Sequence, residues 1–265
     1  MRKPRELKMM ARQRITRNFG TLVGATAIYG GIYGFVIIAI VLSYTLNLIT
    51  KGVFTSYASV EMFMESTRNS FSFYLITEGV LVLVSALMST LSVAIYYMCL
   101  KSVRGQETKL SDILYVVRHN PDKVILIYLI QELILFLAST PANLMSYFVD
   151  IDANITYQII FFAFTIFSYV ADIIVIALFS MAMFVYIDDP EKGVIQCIEI
   201  SMHAMKNKIT SYMWLIISFI PLYILASLSF FVLYLFVFPY MHATVALYYM
   251  QLNGELGSTI DVTIE

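Results

Sequence analysis

The chain is predicted to be an all-α polytopic membrane protein, with six transmembrane helices arranged as three hairpins, each preceded by a cytoplasmic amphipathic interfacial helix. Three observations predict it. Of the 265 residues, 60% are hydrophobic and 13% charged, against roughly 45–50% and 25% in soluble domains. The apolar residues gather in continuous runs of at least the roughly 20 residues that a bilayer core requires, without the strict alternation of barrel strands. Basic residues return in every second connection. The composition excludes an ordinary soluble enzyme, and the near-balance of 17 Lys and Arg against 18 Asp and Glu gives no sign of a nucleic-acid partner.

Taken in order, residues 5–19 form the first amphipathic stretch, with Leu7, Met10, Ala11 and Ile15 apolar and Arg14 beside them, placed to snorkel towards phosphates. The first span covers about 21–46 and the second about 73–99. Residues 110–118 repeat the amphipathic theme through Leu110, Ile113, Leu114 and Val117, and spans follow at about 124–145 and 159–187. At 190–206, Asp189 is a capping residue, Pro190 suits a first helical position and Glu191 suits the positive helix end. Val194, Cys197, Ile198, Met202 and Met205 then share one face, opposite Lys192, Gln196, Glu199, His203 and Lys206, as in a helix lying in the interface plane. The last run, 209–252, is twice the thickness of a hydrocarbon core. A tight hairpin near Ser227-Leu228-Ser229 divides it into spans at 209–227 and 229–252; the competing reading has five spans, the last part bent along the interface at Pro239. Residues 1–252 are thus one integral membrane domain, and 253–265 a short cytoplasmic tail.

The three amphipathic stretches end alike, in Arg17-Asn18, His119-Asn120 and Lys206-Asn207, which points to three units of interfacial helix plus hairpin. Orientation follows from the positive-inside rule. Fifteen of the Lys and Arg residues lie in segments 1–20, 101–123 and 188–208, against only Lys51 and Arg68 in 47–72 and 146–158, so both termini are expected in the cytoplasm. The first apolar run is too long for a cleaved leader and continues into Tyr44-Thr45-Leu46. Cys99 and Cys197 fall on the reducing side, where a structural disulfide is not expected. The sequon Asn154-Ile155-Thr156 reads as chance.

Several of these residues carry a resemblance. Ser180-Met181-Ala182-Met183 through Asp188-Asp189-Pro190, then Ile198 to Ser201 and Met205-Lys206-Asn207-Lys208, resemble a signature of the domain-of-unknown-function 975 family of bacterial integral membrane proteins. Ser218-Phe219, Pro239-Tyr240, Ala243-Thr244 and Tyr248-Tyr249 resemble its closing pattern, and Glu6-Leu7-Lys8 with Ala11-Arg12 its opening. The resemblance implies a multi-pass bacterial membrane protein with cytoplasmic termini and supplies no activity, substrate or catalytic residue. Where that family commonly breaks its fourth span with Pro-Gly, this chain has Ala171-Asp172, so a straighter span is expected there.

The polar residues that remain are few. Glu132 and Asp172 lie near the middle of spans three and four, where an acid costs roughly 2.5–3.5 kcal/mol on insertion scales. Facing each other, they would suit a proton-coupled carrier or a cation site; facing apart, they serve packing alone. Glu78 is near enough to a span end to reach water. His203 follows Glu199 by one turn, but no third ligand converges, and His242 stands where Pro239 frees a carbonyl. No catalytic motif, metal site or cofactor fingerprint is found. The expected function is therefore non-enzymatic: an accessory, scaffold or stress-related factor whose Arg12, Arg14, Arg17, Lys192, Lys206 and Lys208 hold anionic lipid headgroups. The alternative is a small-molecule or ion transporter using Glu132 and Asp172.

Overall fold

A computed structural model describes residues 2–68, 70–150, 153–229 and 232–256. The described residues form helices and short connections, with no strand. The helices are α1 (Pro4–Ile15), α2 (Phe19–Thr50), α3 (Tyr57–Arg68), α4 (Phe71–Val103), α5 (Tyr115–Arg118), α6 (Pro121–Phe148), α7 (Ile155–Phe179), α8 (Ala182–Asp188), α9 (Val194–Met205), α10 (Ile209–Ile217), α11 (Ile220–Leu228) and α12 (Tyr234–Leu252). Five helical stretches among them are long and apolar enough to cross a membrane: Pro4–Thr50, Phe71–Val103, Pro121–Phe148, Ile155–Asp188 and Ile209–Leu228. The predicted runs fall inside these five, apart from 229–252. From Tyr234 on that run is α12, which carries Pro239, His242 and Gln251 and buries twelve of its nineteen residues.

Local chemistry explains where the elements depart from expectation. Asp189 does not cap a helix at Pro190. Its carboxylate accepts from the Glu191 amide at 3.2 Å and from Lys192 Nζ at 2.9 Å, a local turn that competes with capping. The helix starts instead at Val194, where Gln196 Oε1 accepts from the Gly193 amide at 3.1 Å. The 110–118 stretch begins as a 3₁₀ turn, Leu110–Leu114, before α5. Residues 47–72 hold a helix that the sequence reading passes over, α3, opened by reciprocal bonds between Ser56 and Ser59.

The Asn residues that close the amphipathic stretches divide into two kinds. Asn120 and Asn207 both take left-handed backbone, φ 50° and 64°, the conformation that ends a helix and that Asn tolerates better than most residues. Asn18 stays in a 3₁₀ turn between α1 and α2 and is buried. Its side chain donates to Ser102 Oγ at 3.1 Å and the Gln106 carbonyl at 2.8 Å, and accepts from the Thr108 amide at 3.3 Å.

The chain divides into two compact units. One comprises residues 1–29, 89–128 and 176–265, and α12 is its core helix. The amphipathic stripe of α1, Leu7, Ala11 and Ile15, is buried, and α12 runs alongside α1 in the opposite direction. The Arg2 amide donates to Gln251 Oε1 at 3.1 Å, the Tyr240 hydroxyl to the Lys8 carbonyl at 3.2 Å, and the Phe19 and Phe236 rings lie 6.0 Å apart. The other unit comprises 30–88 and 129–175. Its parts of α2, α4, α6 and α7 cover 30–50, 71–88, 129–148 and 155–175, each about 27–32 Å long and close to the ~30 Å of a hydrocarbon core. Phe35, Ile38, Leu83, Leu137 and Phe162 project outward from it. Ser168 Oγ ties α7 to the Ala138 carbonyl of α6 at 3.1 Å, and Asn143 ties α6 to the Tyr74 hydroxyl of α4 at 2.8 Å.

Candidate functional site

The basic residues singled out for headgroups have different environments. Arg12 on α1 and Lys206 at the end of α9 are exposed, and Lys208 is half-buried. None of the three makes an ion pair among the described residues. Arg14, although exposed, donates to the Val103 carbonyl at 2.9 Å, where a cation complements the C-terminal end of α4. Arg17 pairs with Glu107, and Lys192 with Asp189 at 2.9 Å. The Lys192 ammonium holds the Asp189 carboxyl below the usual carboxylate range. Lys123 supports the same turn from below, donating to the carbonyls of Pro190 at 2.6 Å and Lys192 at 3.2 Å. Three of the six cations are thus spent on the fold, at least in part.

Two further cations were not legible as functional. Arg104 forms a bidentate pair with Asp188 at 2.6 and 3.0 Å and reaches Glu255 at 2.8 Å, while the Tyr249 hydroxyl donates to Asp188 at 2.7 Å. The hydrogen bond to Asp188 raises the guanidinium above its ordinary value. The partners stand 84 and 151 residues away, so no local signal announces them. Lys8 places Nζ 2.6 Å from the Ser218 carbonyl and 3.9 Å from the centroid of the Phe219 ring. It fills the break between α10 and α11. There Pro221 lacks an amide, and the Leu222 amide turns to the Phe219 carbonyl, leaving Ser218 for the ammonium. A lysine beside the buried stripe of α1 was the available hint.

Of the two intramembrane acids, Asp172 is half-buried in α7 and its Oδ1 is buried without a hydrogen-bond partner. Glu132 is half-buried in α6 and is itself engaged by a neighbour. The Ser168–Ala138 bond sets the register of these antiparallel helices, and it puts Asp172 and Glu132 within about two residues of the same level. Glu132, six residues before Ala138, points about 120° around α6 from that contact. The acids share a depth without sharing a face.

His242 is buried between Tyr96 and Phe238, with centroids at 4.4 and 4.2 Å, and its Nε2 has no partner. Tyr240 turns to Lys8 rather than to the carbonyl freed by Pro239. His119 rests on the Tyr115 ring. Cys99 and Cys197 are free and buried, and burial raises the Cys197 thiol. No group of three or more His, Cys, Asp or Glu able to hold a metal occurs among the described residues.

Long apolar helices joined by charged segments, with polar groups spent mostly on tying helices together, define a helical protein of the kind that occupies membranes. The chain belongs to the DUF975 family, described as protein of unknown function, whose profile matches residues 1–255. No curated protein and no solved structure matches it.

Proposed function

We propose that the protein is a non-enzymatic accessory or scaffold of the bacterial cytoplasmic membrane, with both termini in the cytoplasm, which gathers anionic lipid headgroups around its basic segments. The observation that carries this reading is the two-sidedness of α1. Its apolar stripe is covered by α12, while Lys3, Arg5 and Arg12 are exposed and make no ion pair among the described residues. Lys206 adds a similar exposed charge at the end of α9, whose Ile195 and Met202 are also exposed. A basic residue at an anionic surface contributes about 1 kcal/mol.

The test is the protein in nanodiscs of phosphatidylglycerol and phosphatidylcholine, with bound lipid counted by native mass spectrometry. Neutralising Arg5, Arg12 and Lys206 together to Gln is expected to remove the preference for phosphatidylglycerol. Neutralising the already engaged Arg14, Arg17 and Lys192 should lower it less. Equal effects from both triplets would refute the assignment.

A second reading, transport, is favoured by one observation, the unpartnered Oδ1 of Asp172. Purified protein in liposomes would then move protons or a small solute, and Asp172→Asn would stop it, whereas Glu132→Gln, on another face of α6, would not.

A further inference from the structure

Within the unit formed by residues 30–88 and 129–175, aromatic rings gather at one end of the long helices. Tyr44 of α2 lies against Phe73 of α4, with centroids 6.2 Å apart. Phe71 of α4 lies 5.5 Å from Tyr147 and 5.4 Å from Phe148 of α6, and Tyr74 lies 5.5 Å from Tyr147. Rings in contact across three helices stand at one level. Tyrosine is enriched where a bilayer meets water, so this layer marks one interface on helices of bilayer length.

The position of α3 follows from that layer. Past Tyr44, α2 continues six residues to Thr50, about 9 Å beyond the rings. There Gly52, at φ 71°, turns the chain, and Val53 in the 3₁₀ turn that follows is buried. Since α4 begins at Phe71, inside the ring layer, the connection has to come back. It does so through α3, which ends at Arg68, three residues before Phe71; three residues span at most about 11 Å. Both ends of α3 are therefore tethered close to the interface.

Its sequence suits that place. Tyr57, Val60 and Met64 fall at i, i+3 and i+7 and form one stripe, with Tyr57 83% and Met64 64% exposed. Ala58 and Ser66 lie on the opposite side. The exposed Ile49 and Phe54 lead up to the stripe from the end of α2.

We propose that α3 is a further interfacial helix, seated at the end of the long helices that the rings mark, with the headgroup and acyl boundary of that leaflet as the occupant of its Tyr57–Val60–Met64 stripe. Lipid is the occupant because a bilayer bounded by the ring layer surrounds the ends of α2 and α4, and the short tethers keep α3 at its edge. Interfacial helices sink an apolar face about 5–10 Å into that boundary, a depth that matches the overhang of α2. The stripe carries no charge, so this seating needs no anionic lipid and stands or falls apart from the headgroup preference.

Four single-residue variants test it: Tyr57→Cys and Met64→Cys on the stripe, Ala58→Cys and Ser66→Cys opposite. Each carries an NBD label, and Cys99 and Cys197, 0% and 1% exposed, give little background. The proteins are placed in phosphatidylcholine nanodiscs with bromine at successive depths of the acyl chains. Labels at 57 and 64 are expected to shift to the blue and to be quenched most by bromines nearest the headgroups, while labels at 58 and 66 stay water-like. The two stripe positions are read separately, so loss of folding in one variant leaves the other to decide. Water-like emission at all four positions would overturn the proposal, because α3 would then stand clear of the bilayer. Strongest quenching by bromines at the chain ends, or equal quenching of both faces, would overturn it by showing a helix sunk in the core. A blue shift at 57 and 64 that no brominated lipid quenches would overturn it too, since a second copy or another protein would then cover the stripe.

Discussion

Asn120 and Asn207 occupy equivalent positions, each closing an amphipathic stretch and opening an apolar helix with φ near 60°. A residue with a Cβ and no local hydrogen bonding pays about 1–2 kcal/mol for left-handed backbone, and glycine does not. Asn120→Ala and Asn207→Ala are each expected to lower stability in detergent by about 1 kcal/mol, while the Gly variants stay near the parent; thermal unfolding of the four proteins measures this. The dipeptides themselves were visible in the sequence, but their backbone was not. Asn18 stands in the same pattern and uses its side chain instead, because Ser102, Gln106 and Thr108 come from a segment about 84 to 90 residues away. Residue type marks a junction; only the packed neighbour decides how it is made.

Helices with strong apolar runs were legible as elements, since a bilayer-length run needs no partner to identify it. The breaks within them were harder. Pro221 was in plain sight, yet its effect depends on Lys8, which arrives from the other end of the chain to take the Ser218 carbonyl. A hydrogen bond from a charged donor is worth about 1.5–3 kcal/mol, and Lys8→Met is expected to cost that much in detergent, read by thermal or denaturant unfolding. Lys8→Arg, which keeps the charge but changes its shape, should recover part of it. The α3 helix was passed over for a different reason. Its twelve residues mix Glu61 and Glu65 with Met62, Phe63 and Met64, and so short an amphipathic segment reads as a loop when only bilayer-length runs are sought. At Asp189-Pro190 two local signals competed, and the carboxylate went to the turn.

For the whole molecule, the hydrophobic excess foretold the all-helical architecture, and the family membership agrees with the residues that resembled it. Glu132 and Asp172 illustrate the remaining gap: hydropathy places both at mid-span, but the direction of a side chain around a helix is set by register, here by the Ser168–Ala138 bond. The charge sorting, fifteen basic residues against two, located the segments that surround α12 without revealing that α12 would be covered by the first of them. Deleting α12 after residue 228 is therefore expected to expose α1 to protease in membranes while the apolar runs remain protected; unchanged cleavage within 4–15 would contradict the pairing.

The contact of Arg2 with Gln251 spans 249 residues, and it imposes an order on biosynthesis. During translation α1 is made first and its partner last. At about 5–20 residues per second, the stripe of Leu7, Ala11 and Ile15 waits roughly 10–50 s for α12 to emerge. Until then the nascent chain carries a basic helix with its apolar stripe uncovered, and only the final helix closes the fold.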